Sequence, residues 1–265
     1  MIPHDTVLED LETLRKEELV IFTDENFIGY SKVHIEDRKV LLRKMIERKF
    51  KFLWGCQTTV ALSDEPELMD LMFKAGCRAV FVGFESTNPE DLASIRKKHN
   101  VGVDYRAAIE KLHKHKLAVI ASCILGMDTH TNEYHKQLIK DIKAIKADFV
   151  RVFLMTAWPG TALYKDLQEE GRASNDWDRV RKDVPSIKFK HYTHEEIIIA
   201  RKEVMDSFFR PFNLFRVGLR WVFVDRSLLK LFIRMGIRNK TSEKIRVSRA
   251  VKFSKNPENM AQVSK

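Results

Sequence analysis

Acidic and amide side chains follow several apolar runs of this sequence, at the point where each run ends. The run at 20–22 leads directly into Thr-Asp-Glu-Asn at 23–26, and two further acids follow later runs. Carboxylates are costly to bury unless a cation or a hydrogen-bonding group meets them. Their oxygens suit Mg²⁺ or Mn²⁺, so a metal-dependent barrel enzyme is one hypothesis. The acids concerned are Asp24, Glu25, Glu85 and Asp128.

Five apolar runs are typical of buried parallel strands, and segments with helical periodicity separate them. The runs are 19–22, 50–55, 79–84, 117–125 and 149–155. They start about every 30 residues, the length of a strand–helix unit, which predicts a parallel sheet with right-handed crossovers. No G-x-G-x-x-G motif follows the first run, which disfavours a dinucleotide-binding fold. We therefore predict an α/β fold of the barrel or partial-barrel type.

The carboxyl ends of the five runs all turn polar, and in a (β/α) barrel these ends meet at one rim. They read T-D-E-N, C-Q-T-T, G-F-E-S, L-G-M-D and M-T-A-W-P-G-T. Loops are polar and helices favour acidic N-caps, which explains any single position equally well. Five polar ends together favour a small-molecule cleft, with Gly83, Gly126 and Gly160 allowing close backbone approach.

The charge of the chain divides near residue 178. Residues 1–177 hold 26 Lys and Arg and 28 Asp and Glu, a net charge of −2, whereas residues 178–265 hold 21 and 9, a net charge of +12. We therefore predict two domains, a barrel over 1–177 and a basic, aromatic-rich helical extension over 178–265. Three widely spaced cysteines suit a reducing cytoplasm, and the sequence shows no secretory signal or membrane span.

The extension contains a predicted capping box, in which Thr193 and Glu196 open a helix. Residues 207–256 then hold 13 basic and two acidic residues interleaved with aromatic side chains. One interpretation is a helical cap on the open side of the barrel, and another is peripheral contact of residues 208–238 with a membrane. Nucleic-acid binding is the weakest interpretation, because apolar side chains outnumber those that could read bases. One predicted helix face carries Arg226, Lys230, Arg234 and Arg238.

Five motifs, in this order, resemble the radical S-adenosylmethionine (SAM) superfamily, and in particular the group that often carries a cobalamin-binding domain. They are FTDENF (22–27), DEPELMDLMFKAGCRAVFVGFEST (64–87), ILGMD (124–128), TAWPGTALYKDLQEEGR (156–172) and DW (176–177). The resemblance spans about residues 2–178. It implies a partial (β/α) TIM-like barrel without its first strand. It also implies SAM and a [4Fe–4S] cluster as cofactors, with cobalamin in part of the family.

The resemblance further implies a set of SAM-binding residues. The acidic turn after the first run would hold the amino group of the SAM methionine, since carboxylates pair strongly with ammonium in a dry cleft. Glu85 and Ser86 would meet the ribose and the methionyl carboxylate, and Gln57 would reach SAM or substrate. The turn consists of Asp24, Glu25 and Asn26. The groups that flank adenine would come from Ile124, Gly126, Asp128, Met155, Thr156, Pro159 and Gly160.

The cysteines depart from the family pattern. Members hold the cluster with C-x3-C-x2-C on one loop, because three thiolates must meet one cubane. Cys56, Cys77 and Cys123 instead lie 21 and 46 residues apart, and each is interpreted as a small buried hydrophobe. No metal ligands are therefore predicted in this chain. His113 and His115 are likewise expected to be solvated rather than to bind a metal.

The leading hypothesis is the SAM-binding core of a radical SAM enzyme, similar to cobalamin-associated methyltransferases, that acts on a small-molecule or lipid-like substrate. The sequence does not predict its catalytic residues. The chain starts where the first helix of the family is expected, so by itself it should not cleave SAM reductively. It could be a truncated product, or a fragment that binds a cluster-bearing N-terminal half or partner chain. The cysteine usage and the basic extension predict a cytoplasmic location with peripheral membrane contact.

Overall fold

The computed structural model describes residues 2–14, 19–95, 97, 100–174 and 185–224. Its five strands are β1 (Leu19–Phe22), β2 (Leu53–Thr58), β3 (Cys77–Glu85), β4 (Ala118–Leu125) and β5 (Phe149–Leu154). Each strand falls on one of the five apolar runs, so the strand predictions are confirmed. The described ranges exclude DW at 176–177 and the face predicted to carry Arg226, Lys230, Arg234 and Arg238.

The strands form one sheet in the order β1-β2-β3-β4-β5. β1 pairs with β2 in parallel from Leu19↔Leu53 to Phe22↔Cys56. β2 pairs with β3 in parallel, with a register shift between Trp54 and Gly55. Each strand therefore lies beside its neighbours in the chain, as in a (β/α) barrel and unlike a doubly wound sheet, whose strand order reverses. The predicted α/β fold with a parallel sheet is confirmed.

Helices connect the strands and continue after the last one. They are α1 (His4–Glu12), α2 (Lys32–Glu47), α3 (Pro66–Lys74), α4 (Pro89–Ser94), α5 (Tyr105–Lys114), α6 (Tyr134–Ile145), α7 (Ala162–Glu169), α8 (His194–Phe208) and α9 (Pro211–Val224), with a 3₁₀ helix at Val60–Asp64. α8 begins with the predicted capping box, since Thr193 accepts from the Glu196 amide and the Glu196 side chain accepts from Thr193. Gly76, with φ of 100°, follows the end of α3 as predicted.

The chain forms two compact units. The first comprises residues up to Ser122 together with Ala144–Arg151, and the second comprises Cys123–Lys143 and the residues from Val152 onward. The boundary predicted at residue 177 lies outside the described residues and stays a prediction. Within the described residues, no helix is both long and apolar enough to cross a bilayer.

In the first unit the two faces of the sheet differ in burial. Trp54, Val80 and Val82 are fully buried, and the Trp54 indole donates to the Ala75 carbonyl at 2.8 Å, just beyond α3. On the alternate positions Ile21 is 55% exposed and Gln57 is exposed. Helices thus cover one face of the sheet, and the other face is open toward the carboxyl ends of β1 and β2.

Candidate functional site

The turn after β1 is fixed onto the carboxyl end of β2. The Phe27 amide donates to the Gln57 carbonyl at 2.8 Å, and buried Asn26 accepts from the Thr59 amide at 3.3 Å. The Asn26 amide group also donates to the Gly29 carbonyl at 2.5 Å. The oxygen and the nitrogen of the Asn26 side chain are therefore both used in hydrogen bonds that hold the turn in place. This places the first two predicted strand ends, 24–26 and Gln57, next to each other.

The two acids of this turn have different partners. Asp24 pairs with Arg38 of α2 at 2.9 Å, and the Arg38 Nε donates to the Phe27 carbonyl at 2.9 Å while its guanidinium covers the Phe27 ring. Asp24 and Arg38 thus join α2 to the turn. Glu25 is exposed and makes no ion pair with any described residue. Of the two acids, Glu25 is thus the one that has no cation among the residues described, and its predicted contact with SAM stays a prediction.

Glu85, at the end of β3, is buried and already paired with a cation. Its Oε1 binds the Lys97 ammonium, and its Oε2 accepts from the Ser122 hydroxyl at 3.3 Å. The Glu85 backbone has φ of 65°, a left-handed conformation that is uncommon for residues other than glycine. A Cβ on Gly83 would lie 2.6 Å from Glu85 Oε1 and 3.1 Å from Lys97 Nζ. Gly83 does allow a close approach, and the group that approaches is the protein's own ion pair.

Lys97 of this ion pair and its polar neighbour Asn100 were not predicted from the sequence. Asn100 is buried and donates to the Gly83 carbonyl at 3.0 Å, whereas its Oδ1 has no hydrogen-bond partner among the described residues. Lys97 keeps 38% of its side chain exposed, so part of its ammonium faces outward. A buried acceptor without a donor is costly, and among the described residues Asn100 Oδ1 is such an acceptor.

Ser86 is engaged within the chain. Its hydroxyl donates to the Asp91 carboxylate and accepts from the Asn88 amide at 3.0 Å. The Tyr105 hydroxyl lies 3.3 Å from both the Ser86 and Phe84 carbonyls. Ser86 therefore fixes the loop that leads from β3 into α4, and its predicted contact with SAM stays a prediction.

In the second unit, Asp128 is the centre of an ion-pair cluster. The Arg172 guanidinium binds both of its oxygens, at 2.5 and 2.8 Å, and Lys190 lies 3.0 Å from Oδ2. Hydrogen bonds from Arg172, followed by those from Lys190, hold the pKa of Asp128 below its usual value. Asp128 thus joins the end of β4 to the segments around Arg172 and Lys190. Its proposed place beside adenine stays a prediction.

Gly126 meets side chains of its own unit. It has φ of 96°, and a Cβ here would lie 2.6 Å from both Ile197 Cδ1 and Phe189 Cε1. The Gly126 and Met127 amides both donate to His130 Nδ1, at 3.1 and 3.3 Å. The turn at 124–128 therefore closes around buried side chains, while Ile124 itself is half-buried. Room for adenine in this turn stays a prediction.

The stretch at 155–160 is open at its far end. The Met155 amide donates to the Leu125 carbonyl at 2.9 Å, and the Thr156 hydroxyl donates to the Leu154 carbonyl at 3.0 Å. Both side chains are half-buried, whereas Pro159 and Gly160 are exposed. A Cβ on Gly160, where φ is 83°, would meet no atom within 4 Å. This segment has an open surface, and its predicted contact with adenine is untested.

Three of the four acids expected on one rim have their own cations, namely Asp24, Glu85 and Asp128. Across the described ranges no three His, Cys, Asp or Glu side chains come together as metal ligands do. The expectation that His113 and His115 are simply solvated is wrong. His113 Nε2 lies 2.7 Å from the buried carboxylate of Asp148, and His115 Nδ1 lies 2.7 Å from Asp70. Helix α5 turns both rings toward acids that are distant in sequence.

More than half of this chain matches a known protein family. Residues 1–142 match the model of the radical SAM superfamily. The chain belongs to the radical SAM superfamily. Among solved structures, the radical SAM methyltransferase TsrM from Kitasatospora setae, bound to cobalamin and a [4Fe–4S] cluster, superposes with a TM-score of 0.54 at 21% identity. The match covers 63% of this chain and 32% of TsrM and confirms the predicted partial-barrel fold.

Two curated relatives of this radical SAM chain are named as methyl-transferring enzymes. The hopanoid C-2 methylase of Rhodopseudomonas palustris is 28% identical over 192 residues, covering 72% of this chain and 36% of that protein. The bacteriochlorophyllide d C-12(1)-methyltransferase of Chlorobaculum tepidum is 27% identical over 211 residues, covering 78% of this chain and 43% of that protein. The chain thus spans less than half the length of either relative.

The cysteines of this radical SAM chain do not fit the cluster that its family uses. Cys56, Cys77 and Cys123 are free and buried, and they lie on three different strands, as the interpretation of small buried hydrophobes predicted. Burial, followed by the neighbouring Cys77, raises the pKa of Cys56 well above its usual value. Three ligands of one cubane must converge on it, whereas these cysteines lie on β2, β3 and β4.

Proposed function

We propose that this chain is the SAM-binding part of a cobalamin-associated radical SAM methyltransferase. The [4Fe–4S] cluster would come from a segment outside these residues or from a partner chain. The observation that carries the proposal is the exposed Glu25 beside the exposed Gln57, at the mouth of the open sheet face of the first unit. The methyl-transferring relatives support the type of reaction, and the cysteine positions support a cluster supplied from elsewhere.

The residues of the first unit suit the polar groups of SAM. The unpaired Glu25 carboxylate would bind the methionyl ammonium, because charge-assisted hydrogen bonds strengthen where water is excluded. The methionyl carboxylate needs a cation, and the outward part of the Lys97 ammonium supplies one beside Glu85. The Oδ1 of Asn100, which has no donor in the described part of the chain, would accept a hydroxyl hydrogen. SAM, with the cluster, supplies the one-carbon and radical chemistry of the family.

The substrate that we propose is apolar and lipid-like. On the open sheet face, β1 presents Leu19 at 45% and Ile21 at 55% exposure, next to the backbone of Gly55. Exposed aliphatic side chains on an uncovered face favour an apolar ligand. The names of the two relatives, which act on a hopanoid and a bacteriochlorophyllide, support the same class.

Substitution of Glu25 by Gln is expected to weaken SAM binding about tenfold or more, because an unpaired ammonium–carboxylate contact costs about 1–3 kcal/mol. Isothermal titration calorimetry of the purified chain with SAM measures the affinity. Glu47→Gln is the matched control. Glu47 is also exposed, and it is the last residue of α2, whereas the turn that contains Glu25 precedes the first residue of α2. Its affinity should equal that of the unmodified chain.

Comparison of Asp24→Asn with Glu25→Gln distinguishes an effect on the structure of the turn from an effect on SAM binding. Because Asp24 already pairs with Arg38, its loss should loosen the turn and lower the melting temperature, whereas Glu25→Gln should leave the melting temperature unchanged. Equal affinities for Glu25→Gln and Glu47→Gln would rule out Glu25 as the ammonium partner. Absence of SAM binding at millimolar concentration by a folded chain would reject the proposal as a whole.

A further inference from the structure

Helix α9 carries a stripe of exposed apolar side chains. Phe212 is 76% exposed, Phe215 68%, Leu219 47% and Val222 39%. Their spacing of three, four and three residues places them on one face of the helix. The opposite face carries Val217 and Trp221, which are almost completely buried. α9 is therefore packed on one side and presents large apolar groups to its surroundings on the other. We call the four exposed residues the α9 stripe.

The charged residues of α9 itself are all basic. No acidic residue occurs from Ser207 to Val224. Arg216 lies four residues after Phe212, and Arg220 lies four residues after Arg216. By helical periodicity both arginines border the stripe along one side. The sequence continues in the same way, since 207–256 contains 13 basic and two acidic residues. A surface that is both apolar and anionic would complement this composition.

We propose that the α9 stripe docks onto the surface of an anionic lipid bilayer, with α9 lying in the plane of the interface. Phenylalanine and leucine beside arginine are typical of helices that lie at the boundary between headgroups and acyl chains. Among the residues that the structure describes, no helix is long and apolar enough to cross a bilayer. A second copy of the chain is a poorer occupant, because it would bring two arginine-bordered helices together.

Vesicle flotation tests this proposal with the full chain. The chain should float with vesicles of phosphatidylcholine mixed with phosphatidylglycerol, and less with phosphatidylcholine alone. Phe212→Ser combined with Phe215→Ser should reduce the bound fraction about tenfold or more, because two large apolar side chains are lost from the interface. Added salt should weaken binding of the unmodified chain, since the headgroup attraction is screened.

The matched control combines Tyr30→Ser with Val33→Ser, which removes two equally exposed apolar side chains from the first unit, at 77% and 71% exposure. This variant should float like the unmodified chain. Circular dichroism melting curves should be unchanged for both variants, because all four side chains are exposed. Equal loss of flotation in both variants, or no flotation with anionic vesicles, would overturn the proposal. So would a dimer in solution that only the phenylalanine variant disrupts. None of these outcomes depends on SAM binding.

Discussion

Replacement of Gly126 by alanine is expected to lower the free energy of unfolding by about 3–4 kcal/mol, combining left-handed backbone strain with overpacking. The backbone φ of 96° disfavours any side chain. The added methyl group would also lie 2.6 Å from both Ile197 and Phe189, which α8 and the preceding segment hold in the core of the second unit. Chemical denaturation followed by circular dichroism measures the change.

Gly160→Ala provides the matched control for this effect. Gly160 has a similar φ of 83°, but a Cβ there would meet nothing within 4 Å. Alanine at 160 should therefore cost only about 1 kcal/mol, the strain of the backbone alone. The difference between the two variants isolates the clash with Ile197 and Phe189. Equal losses at both positions would contradict the packing described for the turn after β4.

Replacement of Asp148 by alanine is expected to cost about 3 kcal/mol, because it leaves buried donors without an acceptor. The Asp148 side chain is 1% exposed. Its carboxylate accepts a hydrogen bond from the Val119 amide at 2.8 Å and lies 2.7 Å from His113 Nε2. It thus joins the start of β5 to β4 and α5 within the first unit. Denaturation curves of the variant measure the loss, and Asp148→Asn should recover part of it by keeping one acceptor oxygen.

Asp70→Ala is the corresponding control at the surface. The pair of Asp70 with His115 has the same distance of 2.7 Å, but the Asp70 side chain is 59% exposed. Water replaces the lost partner there, so the expected cost is below about 0.5 kcal/mol. If Asp70→Ala proved as damaging as Asp148→Ala, burial would not be what gives the His113–Asp148 pair its importance.

The strands and the positions of their carboxyl ends could be predicted because they depend on local patterns. The consecutive apolar residues at 79–84 indicate a buried strand, and the polar residues that follow indicate where the strand ends. The cations could not be predicted in this way. Lys97 pairs with Glu85 across 12 residues and Arg172 with Asp128 across 44, and no periodicity links such partners. The basic residues at 96–98 after G-F-E-S were the available signal for the first of these pairs.

The side chains that contact the glycines could not be predicted from the sequence either. The sequence predicts that Gly83, Gly126 and Gly160 allow close backbone approach in a small-molecule cleft. Side chains of the protein itself lie close to Gly83 and Gly126, a Cβ at Gly160 would meet nothing within 4 Å, and the cleft stays a prediction. The sequence could not state what approaches, which is the Glu85–Lys97 pair at Gly83 and the side chains of Phe189 and Ile197 at Gly126. These contacts depend on packing between distant segments, which local sequence does not encode.

We propose that this chain binds SAM and does not assemble the [4Fe–4S] cluster by itself. The direct test is the iron and acid-labile sulfide bound per chain after anaerobic reconstitution in the presence of SAM, followed by gel filtration. We expect that neither iron nor sulfide is retained in stoichiometric amount, because Cys56, Cys77 and Cys123 are buried on three separate strands. Four iron atoms and four sulfides per chain, the content of one cubane, lost on Cys56→Ala, would contradict it. Such a result would mean that this chain builds a complete site from new positions.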